Sequence, residues 1–244
     1  MAWTRTLAVF ATALALAGCN ETSSDVAAIS DARRVANSPI TPGIWCSADV
    51  AVDAAGAVTN IELQDCYRAR FEAGLLTVEK LHPSERDRQN GPMVFAMAAL
   101  DRGATLLQTR SEEDNRYQLY VAKTREDGIA VLPEIKLTPA IIADATALGI
   151  TLERKANAGS DLADEDLRIR AGEPDAVFKL IEHAVGLRFD HGVRDRALWT
   201  ELMTKSMFYL RLESDPKVVP PDPAVLAAQL ERLRTTIRRA MTLE

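Results

Sequence analysis

The strongest constraint on the fold is a change of hydrophobic period near residue 132. Between Gly43 and Leu132 the apolar residues fall in short runs separated by Ala54-Ala55-Gly56, Glu72-Ala73-Gly74, Asp101-Arg102-Gly103 and Glu126-Asp127-Gly128. Each of these places a glycine where a positive φ costs little, so each reads as a tight turn between neighbouring strands. The runs between them predict strands over Trp45–Val52, Ala57–Leu63, Cys66–Phe71, Leu75–Leu81, Met93–Leu100, Ala104–Arg110, Tyr117–Lys123 and Ile129–Leu132. Connections this short imply an antiparallel meander, and His82 to Gly91 is its one long polar loop.

Beyond residue 132 the period becomes helical. Thr138 and Pro139 suit the first turn of a short helix with Ile141, Ile142, Ala145 and Leu148 on one face. Ile150–Glu153 and Leu167–Arg170 can return as strands, and Pro174-Asp175 opens a helix that stops near Gly186. Two longer helices follow, one over Arg196–Leu212 bearing Trp199, Leu202, Met203 and Leu210, and one from Pro223 to Met241 bearing Leu226, Leu230, Leu233 and Ile237. The fold class is therefore α+β, with an antiparallel β-rich N-terminal half (meander, sandwich or barrel-like) and a helical C-terminal half.

The amino terminus carries a different signal. Arg5 precedes an apolar run from Leu7 to Ala17 that is too short to span a bilayer as a helix and ends in Gly18-Cys19. Leu16-Ala17-Gly18-Cys19 resembles the lipobox of bacterial lipoproteins. That resemblance implies cleavage before Cys19, lipidation of its thiol, and a cell-envelope location. Asn20 stands where an aspartate usually retains such proteins at the inner membrane, so the resemblance implies the outer membrane, facing the periplasm. The expected organisation is a signal peptide over 1–18, a lipidated cysteine and flexible tether over 19–42, a β-rich domain with short helices over 43–195, and a helical segment over 196–244. The tether follows from the Ser, Ala, Thr and Asp content of residues 20–42 and from Pro39-Ile40-Thr41-Pro42-Gly43.

Charge and cysteine count narrow the chemistry. Loss of Arg5 with the signal takes the formal charge from -6 to -7, which argues against a nucleic-acid partner. With Cys19 lipidated, two thiols remain, Cys46 and Cys66, an even number that suits a disulfide in an oxidising compartment. Such a bridge requires Cα atoms about 4.4 to 6.8 Å apart and closes a loop worth roughly 3 kcal/mol.

No catalytic, cofactor or metal constellation emerges. Glu182-His183 and Asp190-His191 crowd carboxylates and imidazoles, but a break expected at Gly186 separates them and no His-Glu-x-x-His spacing exists. No serine occupies a Gly-x-Ser-x-Gly elbow, and the glycines are isolated turn glycines rather than a phosphate loop. The polar loop offers His82, Ser84, Glu85 and Asp87 as a charged, solvated element.

Gly43-Ile44-Trp45 resembles the Gly-x-Trp that opens lipocalins, some of which are bacterial lipoproteins. That resemblance implies eight up-and-down strands, one helix and an apolar ligand cavity, although the helices predicted after residue 132 exceed the family's pattern. The last helix is basic through Arg232, Arg234, Arg238 and Arg239, so its apolar stripe either covers the protein's own core or docks a partner helix or an anionic membrane. Together these features describe an envelope lipoprotein that binds or scaffolds, with a lipocalin-like carrier and an envelope enzyme as alternatives.

Overall fold

The computed structural model describes residues 22–53, 58–111, 115–133, 135–153, 167–192 and 205–242. Strand β1 (Ser23–Ser24) is followed by β2 (Gly43–Val52), β3 (Val58–Glu72), β4 (Leu75–Lys80), helix α1 (Glu85–Asn90), β5 (Met93–Ala99), β6 (Ala104–Arg110), β7 (Tyr117–Thr124) and β8 (Gly128–Val131). Then come α2 (Pro139–Ala147), β9 (Thr151–Leu152), β10 (Arg168–Ala171), α3 (Pro174–Gly192), β11 (Met207–Leu212) and α4 (Pro223–Thr242).

Strands β2 to β8 and β11 close into an antiparallel barrel of eight strands, each paired with its neighbours in chain order. The ring shuts because β11 lies between β8 and β2, with Tyr209 opposite both Ile129 and Ser47. Three short strands, β1, β10 and β9, extend outward from the edge of β7. At the β3–β4 turn, Ala73 and Gly74 both hold positive φ, the twist that suits a two-residue hairpin.

Alternation along the strands separates the two faces of the wall. Trp45, Ala69, Leu76, Phe95 and Met97 belong to an apolar cluster built almost wholly from strand residues, while Arg68, Arg70 and Glu79 on the opposite face are exposed. Rings two strands apart meet on the first face, Tyr67 with Tyr209 and Phe95 with Tyr120, each at 6.3 Å between centroids, as expected where a curved sheet is concave. That face is the barrel interior. On the outside, helices lie over Ala96, Ala98, Ala104 and Ala130, small residues that let them approach. Gly128 is the extreme case, since a Cβ there would stand 3.2 Å from Leu233 of α4.

Several expectations are corrected. Residues 22–42, expected as part of a tether, are packed: Ala28 and Ile29 are 0% and 3% exposed, and their backbone N–H groups donate to Gln108 Oε1 at 2.6 and 3.0 Å. The described body thus begins at Thr22 and not at Gly43. The two strands expected over Ala57–Leu63 and Cys66–Phe71 are one, interrupted by a bulge where pairing shifts from Cys46–Cys66 to Ala48–Leu63. The polar loop contains α1, begun by a capping box in which Asp87 N donates to Ser84 Oγ and Ser84 N to Asp87 Oδ2.

Helix α3 does not stop at Gly186. Val185 and Phe189 continue the buried stripe begun by Val177 and Ile181, and that burial outweighs the roughly 1 kcal/mol cost of a helical glycine. Met207–Leu212, expected as the end of a helix, is strand β11, because Phe208 and Leu210 face the helices while Tyr209 faces the barrel. The segment assigned to a separate helical region therefore supplies a barrel strand. Thr138 caps α2 as expected, accepting from Ile141 N at 3.2 Å.

The bridge between Cys46 and Cys66 is present, with the residues directly opposed on β2 and β3. Their Cα atoms are 4.0 Å apart, below the expected window and nearest to the roughly 4.5 Å of a non-hydrogen-bonded antiparallel pair. In α4, Leu226, Leu230, Leu233 and Ile237 are buried at 5%, 0%, 0% and 0% exposure, against the barrel and α3. Trp199 and Leu202, read from the sequence as the apolar face of the preceding helix, lie outside the described residues. Arg232 faces Asp127, with Nε at 2.9 Å, whereas Arg234, another of the arginines that make the helix basic, is buried.

Two outcomes follow. Leu230→Asp should lower the unfolding free energy by at least 3 kcal/mol, read as a collapse of the melting temperature, since it places a carboxylate where no water reaches. Cys46→Ala with Cys66→Ala should cost about 3 kcal/mol, and neither thiol of the unmutated protein should react in the denatured, unreduced state.

Candidate functional site

The barrel encloses a hollow of about 80 Å³. Trp45, Ala69, Leu76, Phe95, Leu107, Tyr120, Ile129 and Tyr209 line it, one from each strand in turn, so a single cavity touches the whole ring. Its other walls include Val78, Met93, Val131 and Met207.

One end is shut by the segment before β2. Ile40 is 2% exposed and lines the hollow, Trp45 Nε1 donates to Thr41 O at 2.9 Å, and Val35 N donates to Met97 O at 3.0 Å. The tryptophan of Gly43-Ile44-Trp45 is thus the floor of the barrel, where the alternation of β2 points it inward and Thr41 satisfies its ring nitrogen.

The other end meets a vestibule of about 380 Å³, which shares Tyr67, Val78 and Met93 with the hollow and adds Lys80, Asp87, Arg88, Asn90 and Gln118. Here the inward positions turn polar. Lys80, opposite Tyr67, bonds Asp65 at 2.9 Å and Asp87 at 3.5 Å. Burial alone would lower the Lys80 pKa, but the hydrogen bond and charge of Asp65, then the charge of Asp87, hold it above the usual lysine value. Asp87 is held below the usual carboxylate value, first by hydrogen bonds from Ser84 and then by Lys80. Burial raises the phenols at the mouth: Tyr67 goes beyond its normal range, helped by Tyr209, Asp65 and Asp87, and Tyr209 is pushed up to about 12, helped by Asp65.

The other residues singled out from the sequence do not converge. His183 Nδ1 lies 2.8 Å from Asp144 Oδ2, Asp190 bonds Arg102, and the His191 side chain lies outside the described residues. His82 pairs with Asp215 at 2.8 Å, Ser84 and Asp87 cap α1, and Glu85 sits on the exposed side of that helix. Among the described residues no group of three or more His, Cys, Asp or Glu could hold a metal ion. Cys19 lies outside the described residues. Among those described, no helix is long and apolar enough to cross a membrane. Sequence reasoning missed Tyr67, Lys80 and Tyr209; the period-2 alternation of β3 and β4 was the signal that could have put Tyr67 and Lys80 on inward faces, and Tyr209, in an apolar run without alternation, carried no such signal.

A different buried cation lies outside the barrel. Lys123, 4% exposed beneath α3, donates to the Arg102 carbonyl and stands 5.9 Å from the Phe189 ring centroid. Burial pulls its pKa down to about 8.

The fold and the cavity place the molecule among closed eight-stranded up-and-down β-barrels. Comparison of the chain with protein-family models, with curated proteins and with solved structures finds no match.

These shifts set a pH dependence. Lys123 binds its proton less tightly folded than unfolded, so stability should rise as pH climbs from about 8 towards 10.5. Tyr67 and Tyr209 hold their protons more tightly folded than unfolded, so stability should fall as pH rises above 10. Denaturation curves across pH 7 to 12 should therefore show a rise and then a fall. Lys123→Met should remove the rise and stabilise the protein at pH 7 by up to about 3 kcal/mol, and Tyr209→Phe should flatten the fall.

Proposed function

We propose that this protein is a lipid-anchored envelope carrier whose barrel takes the apolar part of a small amphipathic molecule and leaves the polar part in the vestibule. The observation that carries the reading is the single apolar hollow reached by all eight strands, closed at Trp45 and continuous in its walls with a polar mouth. Ligand sites have this composition: apolar walls with a few placed polar groups at one end. The lipocalin resemblance of Gly43-Ile44-Trp45 fits the same reading, because the eight barrel strands run in chain order and a helix, α4, follows the last of them. The departure is an insertion of α2, β9, β10 and α3 between the seventh and eighth barrel strands.

A hollow of about 80 Å³ selects a narrow occupant, such as a single aliphatic chain or a small ring. Met93 and Met207, both half-buried in its wall, are unbranched side chains that can move aside for more. The anchor in this proposal is the lipid on Cys19, and the location is the periplasmic face of the outer membrane. The alternative of scaffolding through the last helix has less support, since the stripe it would offer is buried against the barrel.

The test uses single-chain fatty acids of increasing length, with Trp45 fluorescence as the reporter. Saturable quenching or enhancement is expected, and Ala69→Phe, which fills the hollow from its own wall, should weaken binding at least tenfold while leaving the melting temperature within a few degrees. Binding that survives Ala69→Phe unchanged would place the ligand elsewhere. Separately, Cys19→Ser should abolish incorporation of labelled palmitate and leave an uncleaved or mislocalised precursor; normal labelling would end the lipoprotein part of the proposal.

A further inference from the structure

The three most exposed large apolar side chains among the described residues lie within one stretch, on the loop before α4 and in its first turn. Val218 and Val219 are 76% and 55% exposed, and Val225, in the first turn of α4, is 52% exposed. Between them stand Pro220 and Pro221. Backbone donors are absent or satisfied along this tip: Lys217 N donates to Asp215 Oδ1, and Val218 N and Val219 N both donate to Asp215 O, each at 2.9 Å. Pro216, Pro220 and Pro221 have no N–H. From Pro216 to Pro221 no amide hydrogen needs water, so the donor half of this backbone can enter the membrane interface without losing hydrogen bonds, and its carbonyls remain within reach of interfacial water.

The tip is held beside the barrel mouth. Asp215 pairs with His82 at 2.8 Å, and Lys80, Pro83 and Asp87 line both the vestibule and the recess that contains His82, Asp215 and Lys217. The chain before Thr22 starts at the same rim, because Ser23 pairs with Gln118, a vestibule residue. Two residues, Asn20 and Glu21, separate Cys19 from Thr22, a reach of about 11 Å over three fully extended steps. A lipid on Cys19 would therefore hold the mouth, and not the Trp45 floor, near the bilayer.

We propose that the Val218–Pro221 tip inserts into the membrane surface and docks the barrel mouth there, so that the ligand passes between bilayer and barrel without crossing free water. This rests on the carrier reading above and names the ligand's source as the membrane itself. A protein partner fits less well: stable interfaces bury on the order of 1,600 Å² around aromatic or arginine anchors, and two valines and two prolines supply neither. One lysine, Lys217, flanks the tip beside Asp215 and Asp222, so apolar insertion and not attraction to anionic headgroups would drive docking.

The test reconstitutes the full lipidated chain in phosphatidylcholine vesicles with dibrominated acyl chains. In Val218→Trp, the added emission should shift to the blue and lose more than half its intensity to the bromines. In Glu72→Trp, at the β3–β4 turn of the closed end, it should lose none. Equal quenching at the two positions, or none at 218, overturns the docking. A double variant, Val218→Asp with Val219→Asp, should slow transfer of a fluorescent fatty acid from vesicles at least tenfold while leaving its affinity from solution unchanged; unchanged transfer also overturns it. Failure of the unmutated protein to bind the fatty acid from solution would reject the carrier reading alone, and the bromine quenching would still decide the docking.

Discussion

Everything in this molecule hangs on where β11 lies. Strands β2 to β8 pair in chain order, most of them through short connections and β4 with β5 across α1, but by themselves they leave two open edges with unpaired backbone groups, a surface prone to pairing with other chains. Strand β11 arrives about 75 residues after β8 and fills the gap, exchanging hydrogen bonds with both β8 and β2. The long excursion is tolerable because closure entropy grows only logarithmically with loop length, about 0.6 kcal/mol per doubling. Its residues are also not idle: α2 and α3 cover the outer wall. Closure creates an inside, and without an inside there is no cavity.

The barrel wall then serves two ends at once. Inward positions carry large residues such as Trp45, Phe95 and Met97, which converge; outward positions under the helices carry Ala98, Ala104, Ala130 and Gly128, which allow close approach. Where no helix covers the wall, the outward positions are Arg68, Arg70 and Glu79. The Cys46–Cys66 bridge sits on the outer face of the rung next to the Trp45–Tyr67 pair. It therefore clamps the two strands that carry the cavity floor and the first polar residues of the mouth.

How much of this was legible depended on whether local chemistry or distant contact decided each element. The barrel strands up to Val131 could be read because their turns announce themselves with glycine and their alternation is strong. Strand β11 could not, because Met207–Leu210 carries apolar or aromatic residues on both faces and shows no alternation of polarity, and a short apolar run fits helix and strand alike. Residues 22–42 read as a tether from their small polar composition. Yet Ser24 and Ser38 bond their own backbone two residues on, and Gln108 satisfies Ala28 and Ile29, so the segment can be packed without a hydrophobic pattern. The disulfide partners followed from an even count of thiols once Cys19 is set aside, with an oxidising compartment as the expectation, and not from spacing. The mouth cluster of Asp65, Lys80 and Asp87 was invisible because its members come from two strands and a helix cap that only the register brings together.

The small size of the hollow follows from the same physics. An empty apolar void costs roughly 24 cal/mol per Å³, so a cavity of about 300 Å³, the lower end for ordinary ligands, would cost on the order of 7 kcal/mol if kept open. That is comparable to the whole stability of a typical domain. A barrel that receives an apolar molecule therefore does better to collapse onto itself between ligands than to hold a full-sized pocket. Collapse must use side chains that can move back cheaply, and unbranched thioethers suit that use better than β-branched or aromatic residues. Met93 and Met207 stand half-buried in the cavity wall, and Met93 also borders the vestibule, whereas the fully buried positions nearer the floor hold Trp45 and Ile40. Of the residues that line the hollow, the two thioethers stand towards the open end, beside Val78 and Val131, while Trp45 and Ile40 shut the other end, so the side chains that yield most cheaply are those nearest the entry.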